Sequence, residues 1–465
     1  MGASKLQLLS IGPQDYHLTA NPQITYFKSV FKRHTNFAME TKRIYLNNPK
    51  DNNNYFGATD VKATLMNEGD LLGEVYLDIN IKGTTTEKGA YTVNHFGNSL
   101  IKSVNLEIGG YVIDTQYSQW MQIYDELTDN KPDHQPISGI NGGRYSQMNF
   151  TSDLEATKFS VDNRINGDMP LVFGGNIKNK NLGTGDITAS APATFTKKIC
   201  IPLKFWFTRT PGLYLPLCAI TSHEVIFNFT FEEKHKLIGN STSITSLTID
   251  NINLYGNFIH LDHNEKQRFK LSSHEYLIEQ VQLNNNNSVQ TSKTVKENST
   301  TELEEVPYEI FFNHPIKYIA WVVVNEGNVS TSLSNNSGQG PCYFVSMCSN
   351  SLYGNDGTDG IVRFMLNNED RERQLPMYYY TRIFPKKFGK TTPELDRIGF
   401  YSFATKPFEM EPSGTCNFSK ISDKQFRINF ANNNVENIKD KALYFFAVNY
   451  NVLLISEGMA GLRYK

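Results

Sequence analysis

The chain has 465 residues, enough for two or three domains that each bury a full-sized core without disulfides or metals. Lys and Arg number 45 against 47 Asp and Glu, a formal charge of −2, which argues against a general nucleic-acid binder with its basic excess. Its 30 Phe and 24 Tyr fall in apolar runs separated by Asn, Gly and Ser, the pattern of strands joined by long loops.

The opening "MGASKLQLLS" lacks the charged and apolar regions of a signal peptide, and Leu6 stands where a myristoylation motif wants Ser or Thr. From Tyr16 to Met39 there is no acidic residue, while Lys28, Lys32 and Arg33 sit among Phe27, Phe31 and Phe37. Ile24, Phe27 and Phe31 share one face of a helix that Pro22 would start. Such a segment suits a nucleic-acid arm, a membrane-surface helix or an anchor beneath a larger body. A half-buried strand follows at "EVYLDINI" (74–81), where Val75, Leu77, Ile79 and Ile81 alternate with polar neighbours. "VNLEI" (104–108), "EVIFNFTF" (224–231) and "QFRINF" (425–430) repeat the pattern. "YSQWMQIYDELT" (117–128) spaces Trp120, Tyr124 and Leu127 for one short amphipathic helix. In 246–258, apolar residues begin on Leu247 and Ile249, then change phase to Ile252 and Leu254. That slip predicts a β-bulge.

Residues 129–194, 284–300 and 332–341 read as long polar loops. The charged stretch at 262–273 shows no helical periodicity and divides the chain into two β halves of similar size. No internal period is visible by eye. "YIAWVVV" (318–324) is too short to span a bilayer. The cysteines, Cys200, Cys218, Cys342, Cys348 and Cys416, match neither a zinc spacing nor a secreted disulfide framework, so the expectation is a reduced, intracellular protein.

Candidate chemistry is sparse. His260 and His263 have an H-x-x-H spacing near Glu265 and His274, but a charged connector does not converge them on a metal. The carboxylates of 302–309 read as a wet strand edge. Sequons at Asn286, Asn298 and Asn335 are candidate glycan acceptors that chance explains in an Asn-rich chain. No catalytic motif appears, and neither an enzyme nor a cofactor is expected.

Six separated blocks together resemble one family. They are "GPQDYHLTANPQITYFKSVFKRHTNFAME" near the N-terminus, "IPLKFWFTRTPGLYLPL" (201–217), "LDHNEKQRF…HEYLIEQVQ" (261–282), "FNHPIKYIAWVV" (312–323), "GFYSFATKPFEMEPSGTCNFSKI" (399–421) and "YFFAVNYNVLLISEGMAGLRY" (444–464). In this order they are similar to the double jelly-roll major capsid proteins of nucleocytoplasmic large DNA viruses. The resemblance implies an all-β fold of two tandem eight-stranded antiparallel jelly rolls, with a short N-terminal helical arm and few short helices. It divides the chain into an arm (1–35), a first roll (36–262, with the loop 129–194), a connector (263–273) and a second roll (274–465). It further implies a homotrimer forming a pseudo-hexagonal capsomer in an icosahedral capsid, assembled in the host cytoplasm. Expected partners are neighbouring capsomers, minor capsid and penton proteins, and the inner viral membrane. Ile24, Phe27 and Phe31 would then pack at the base, with Lys28, Lys32 and Arg33 facing membrane or acidic partners, and no nucleic acid would be read by sequence. A minor-capsid or scaffold paralogue and a carbohydrate-binding β-sandwich are the competing readings.

Overall fold

A computed structural model describes residues 3–29, 31–47, 55–59, 61–65, 68–85, 91–92, 96–128, 171–172, 193–239, 244–288, 293–295, 301–303, 305–325, 360–391, 398–429 and 441–464. Most of 129–194, all of 332–341, and Cys342 and Cys348 lie outside these residues. Residues 1–37 form one compact unit and 38–465 another. The first carries helices α1 (Ala3–Leu9) and α2 (Tyr16–Thr19). The helix expected at Ile24–Phe31 is absent: the described residues from 22 to 36 are irregular. A three-residue apolar stripe without a buried partner does not offset the cost of nucleating a helix.

The body is built from strands. In the first half the main ones are β1 (Phe37–Ile44), β2 (Val61–Leu65), β3 (Leu71–Thr85), β4 (Ile101–Ile108), β5 (Tyr111–Tyr117), β6 (Ala193–Pro202), β7 (Val225–Phe231) and β8 (Ile244–Leu261), beside a small sheet of Ile238–Gly239, Tyr91–Thr92 and Leu171–Val172. Helix α3 (Ser118–Thr128) follows β5, and helix α4 (His263–Leu271) follows β8. The second half holds β9 (His274–Ser288), β10 (Val306–Glu309), β11 (Pro315–Asn325), β12 (Ile361–Leu366), β13 (Glu369–Pro376), β14 (Gly399–Ser402), β15 (Lys424–Asn429), β16 (Lys441–Ser456) and β17 (Met459–Leu462).

Hydrogen bonding orders these strands as β1-β8-β3-β6 and β2-β7-β4-β5 in the first half. In the second half the orders are β9-β16-β11-β14 and β10-β15-β12-β13, with β17 added beside β16. Counted from one among these main strands of each half, with the two- and three-residue strands set aside, both read 1-8-3-6 and 2-7-4-5. That is one jelly-roll topology used twice, although no repeat shows in the sequence. Two sheets packed face to face require alternate residues to point inward. Val75, Leu77, Ile79 and Ile81 are accordingly buried on β3, and Val225, Phe227, Phe229 and Phe231 on β7. The predicted bulge is present: pairing of β8 with β3 shifts register between Ile249 and Asn251, so Leu247, Ile249, Ile252 and Leu254 are all buried.

Two further expectations need correction. Residues 263–271 are helical despite the missing periodicity, because α4 has no buried face to display one. Glu265 in its first turn and Arg268 and Lys270 in its last suit the helix dipole. Lys266 Nζ also reaches the buried Asp70 Oδ1 at 2.6 Å. The polar stretch 284–300 is likewise not all loop: β9 runs on to Ser288 against β16, and Lys293–Val295 pairs with Thr301–Leu303. Backbone pairing there needs no apolar alternation.

The second core is dense in aromatic rings. Trp321 on β11 lies against Tyr380, Phe426 and Phe445 at centroid distances of 5.5, 5.1 and 6.2 Å. Across the ladder Trp321 pairs with Gly399, where an added Cβ would stand 2.0 Å from the indole Cε2. We expect Gly399→Ala to destabilise the fold by about 3 kcal/mol through overpacking, measured by denaturant unfolding. Gly461→Ala, which meets open space, should change little.

Candidate functional site: the seam between the two rolls

The two cores exchange side chains. Trp120, Ile123 and Leu127 of α3 belong to the second core, whereas Ile278, Leu453, Ile455 and Ala460 belong to the first. The sequence of α3 allows this because it has two working faces. Gln122 Nε2 donates to Ser99 Oγ (3.0 Å), and Asp125 accepts from Lys204 Nζ (2.6 Å) and Asn98 Nδ2 (2.8 Å), all in the first half. On the other face Trp120 stacks on Tyr318 at 6.0 Å and meets Phe446 at 6.3 Å. In the reverse direction, the chain beyond β16 docks on the first roll. Ser222 N donates to Gly458 O (2.9 Å), and Ala460 N donates to His223 Nδ1 (3.2 Å).

Several polar groups at the seam are paired across it. Asp114 on β5 accepts from Val281 N (3.0 Å) on β9 and from Gln116 Nε2 (2.9 Å). Burial pushes the Asp114 carboxyl above the usual aspartate range against these hydrogen bonds. Gln280 Nε2 donates to Ile113 O. Beside them Glu279 holds two cations: Arg209 Nη1 at 2.6 Å and Lys317 Nζ at 2.5 Å. The Arg209 guanidinium also donates to Lys204 O and lies 4.5 Å from the Tyr124 ring centroid.

Lys317 is 0% exposed, and its Nζ also donates to Glu409 O at 2.8 Å. Its position comes from a register shift between Ile316 and Tyr318 in the pairing of β11 with β16, which leaves Lys317 without a ladder partner. A bulge of this kind re-aims a side chain. Desolvation lowers the Lys317 pKa below the ordinary lysine range, and Glu279 opposes that only in part.

Sequence reasoning missed Arg209, Glu279 and Lys317. The available signal was a lone lysine beside the apolar run in "FNHPIKYIAWVV". The six arm residues chosen from the sequence stand exposed, with Phe27 at 98% and Phe31 at 85%. Asn286 lies on β9, while Asn298 and Asn335 fall outside the described residues. His260 pairs with Glu40 at 3.4 Å and His263 begins α4, so the two do not converge. Among the described residues no His, Cys, Asp and Glu cluster has the arrangement of a metal site, and no helix is long and apolar enough to cross a membrane. Cys416 is half-buried and pairs through its backbone with Ile316, and burial raises its thiol pKa. Burial also pushes Cys218 up to about 11.

Against this geometry the comparisons with known proteins are decisive. The family described as large eukaryotic DNA virus major capsid protein matches residues 265–461, and the major capsid protein N-terminus family matches residues 25–262. The chain belongs to this capsid protein family. The major capsid protein of Pyramimonas orientalis virus is 32% identical over the whole of both chains, and that of Paramecium bursaria Chlorella virus 1 is 30% identical, again over the whole of both. The solved structure of PBCV-1 VP54 superposes with a TM-score of 0.68 at 26% identity, covering 95% of this chain and 100% of that one. The Faustovirus major capsid protein, at 14% identity and a TM-score of 0.60, shares the fold over 96% of this chain and 94% of its own. The double jelly-roll expectation is thus met, and the protein is a structural component of a virion capsid.

Removing one charge of a buried group strands its partners. We expect Glu279→Gln to destabilise the capsid protein by about 3 kcal/mol in denaturant unfolding, and Lys317→Met in the same chain to recover part of that loss.

Proposed function

We propose that the protein is the major building block of an icosahedral capsid, acting as a homotrimer whose six jelly rolls make a pseudo-hexagonal capsomer. The observation that carries this reading is the repeated strand order: two like rolls in each chain, with α4 between them. Three chains closed head to tail bury one heterologous surface each and stop at three. Six similar bodies then present near-sixfold outlines that tile with neighbouring capsomers. The family relatives support the capsid role, and no catalytic step is assigned to the protein. We divide the chain as an arm (1–35), first roll (36–262), connector (263–273) and second roll (274–465), with assembly in the host cytoplasm alongside minor capsid and penton proteins. A minor-capsid paralogue on the same fold would be scarce in purified particles, whereas the major protein would dominate them.

Light scattering on the purified chain tests the trimer. Three chains of 52.9 kDa, about 159 kDa, that persist on dilution are expected. A stable monomer would overturn the capsomer reading.

The arm extends the same proposal. Ile24, Phe27 and Phe31 offer apolar contact, and Lys28, Lys32 and Arg33 offer charge, to an inner membrane or an acidic minor protein. Three cations bind a membrane weakly, but a trimer presents three arms together. The protein should float with phosphatidylserine-containing vesicles at low salt, and Lys28→Glu, Lys32→Glu and Arg33→Glu together should abolish flotation without changing the trimer mass. Failure of the unaltered protein to float would remove the membrane as the arm's partner.

A further inference from the structure

Sheet edges meet at the internal seam. The fifth strand of the first roll, β5, lies at the edge of its sheet, and so does β9, the first strand of the second roll. Asp114 and Ile113 on β5 bond Val281 and Gln280 on β9, and α3, which follows β5, gives Trp120, Ile123 and Leu127 to the neighbouring core. An edge strand carries unpaired backbone N–H and C=O groups, so a neighbour that covers it removes a liability. Because the strand order repeats, the same two kinds of edge recur once more in the chain. β1 is the first strand of the first roll and β13 the fifth of the second, each again at a sheet edge. The helical segment 379–388 follows β13 as α3 follows β5.

Among the described residues these two edges stand open. β1 is exposed apart from Lys42 and Ile44, and most of β13 is exposed as well. Met39 on β1 is 63% exposed, and Tyr45 just beyond it 69%. In 379–388, Tyr380 and Phe384 turn into the second core, which leaves Ile383 39% exposed, and Tyr378 just before it is 42% exposed. Apolar side chains scattered over a surface are ordinary. These four are not scattered: they fall on the two elements whose counterparts are covered at the internal seam. The strands are also matched in charge, since β1 carries one more cation than anion and β13 one more anion than cation. We propose that β13 and segment 379–388 of one chain cover β1 of a second copy, repeating between chains the contact that β5 and α3 make with β9 inside one. This junction rests on the trimer reading and names the faces that close it. The contact is heterologous, so a ring of three alternates it with three internal seams and leaves no first or fifth strand as a free edge.

The test uses the full-length chain, light scattering over a dilution series, and two double variants: Met39→Glu with Tyr45→Glu, and Tyr378→Glu with Ile383→Glu. All four side chains are exposed in the single chain, so each variant should keep a cooperative melting transition. Each should lose the trimer and run at the mass of one chain, 52.9 kDa. Leu271→Glu, on α4 and on neither face, should keep the trimer mass. Hydrogen exchange supplies a second readout that misfolding at the altered site would not give. The Tyr378 and Ile383 variant should lose amide protection at 38–45, and the Met39 and Tyr45 variant should lose it at 369–383, although each of those segments is unaltered. If the unaltered chain is a trimer and either double variant stays one on dilution, or the facing segment keeps its protection, this junction is overturned and the trimer stands. An unaltered chain that is monomeric overturns the trimer reading itself, and the junction with it.

Discussion

One largely enclosed carboxylate, 15% exposed, organises the junction on which the body depends. Glu279 sits on the first strand of the second roll, and its two cations come from different places: Arg209 from the first roll and Lys317 from a bulge in the strand β11. Bringing three charges out of water costs several kcal/mol per ion unless all of them are satisfied. The arrangement is therefore tolerated in one geometry and strongly disfavoured in neighbouring ones. Around it the cores exchange Trp120 for Leu453 and Ile455, so neither roll completes its interior without the other. Hinge motion between the rolls would have to break these pairs.

The duplication shows how little sequence a topology needs. Both rolls follow the same strand order, yet the first core is mostly aliphatic with a row of Phe on β7, whereas the second is filled by interlocking aromatic rings around Trp321. Inward alternation and strand length are enough to specify a sandwich, and many side-chain sets fill it at equal density. Local details then diverge, as at Gly399, where the indole of Trp321 occupies the space of a side chain.

Particular elements show where sequence reading succeeds and where it stops. The alternating runs at 74–81, 104–108, 224–231 and 425–430 are strands, and the phase change within 246–258 is a bulge, because apolar residues that fail to alternate must otherwise face water. The α3 helix was legible from Trp120, Tyr124 and Leu127 for the same reason. Helix α4 and the extension of β9 to Ser288 were not, since neither buries an apolar stripe and both are held by backbone pairing or end charges. In the arm the stripe of Ile24, Phe27 and Phe31 misled, for periodicity without a partner does not make a helix.

By itself, then, the sequence determined the class of fold, the strand faces, the family and the absence of recognisable catalytic motifs, all of which follow from local alternation and from residues matched in order. Only the tertiary structure decided that Asp114 would meet Val281 and that Arg209 and Lys317 would converge on Glu279. These pairs lie up to 167 positions apart, and the pairing of distant strands sets their distance. Long-range register is a property of the closed sheets, and no local pattern carries it.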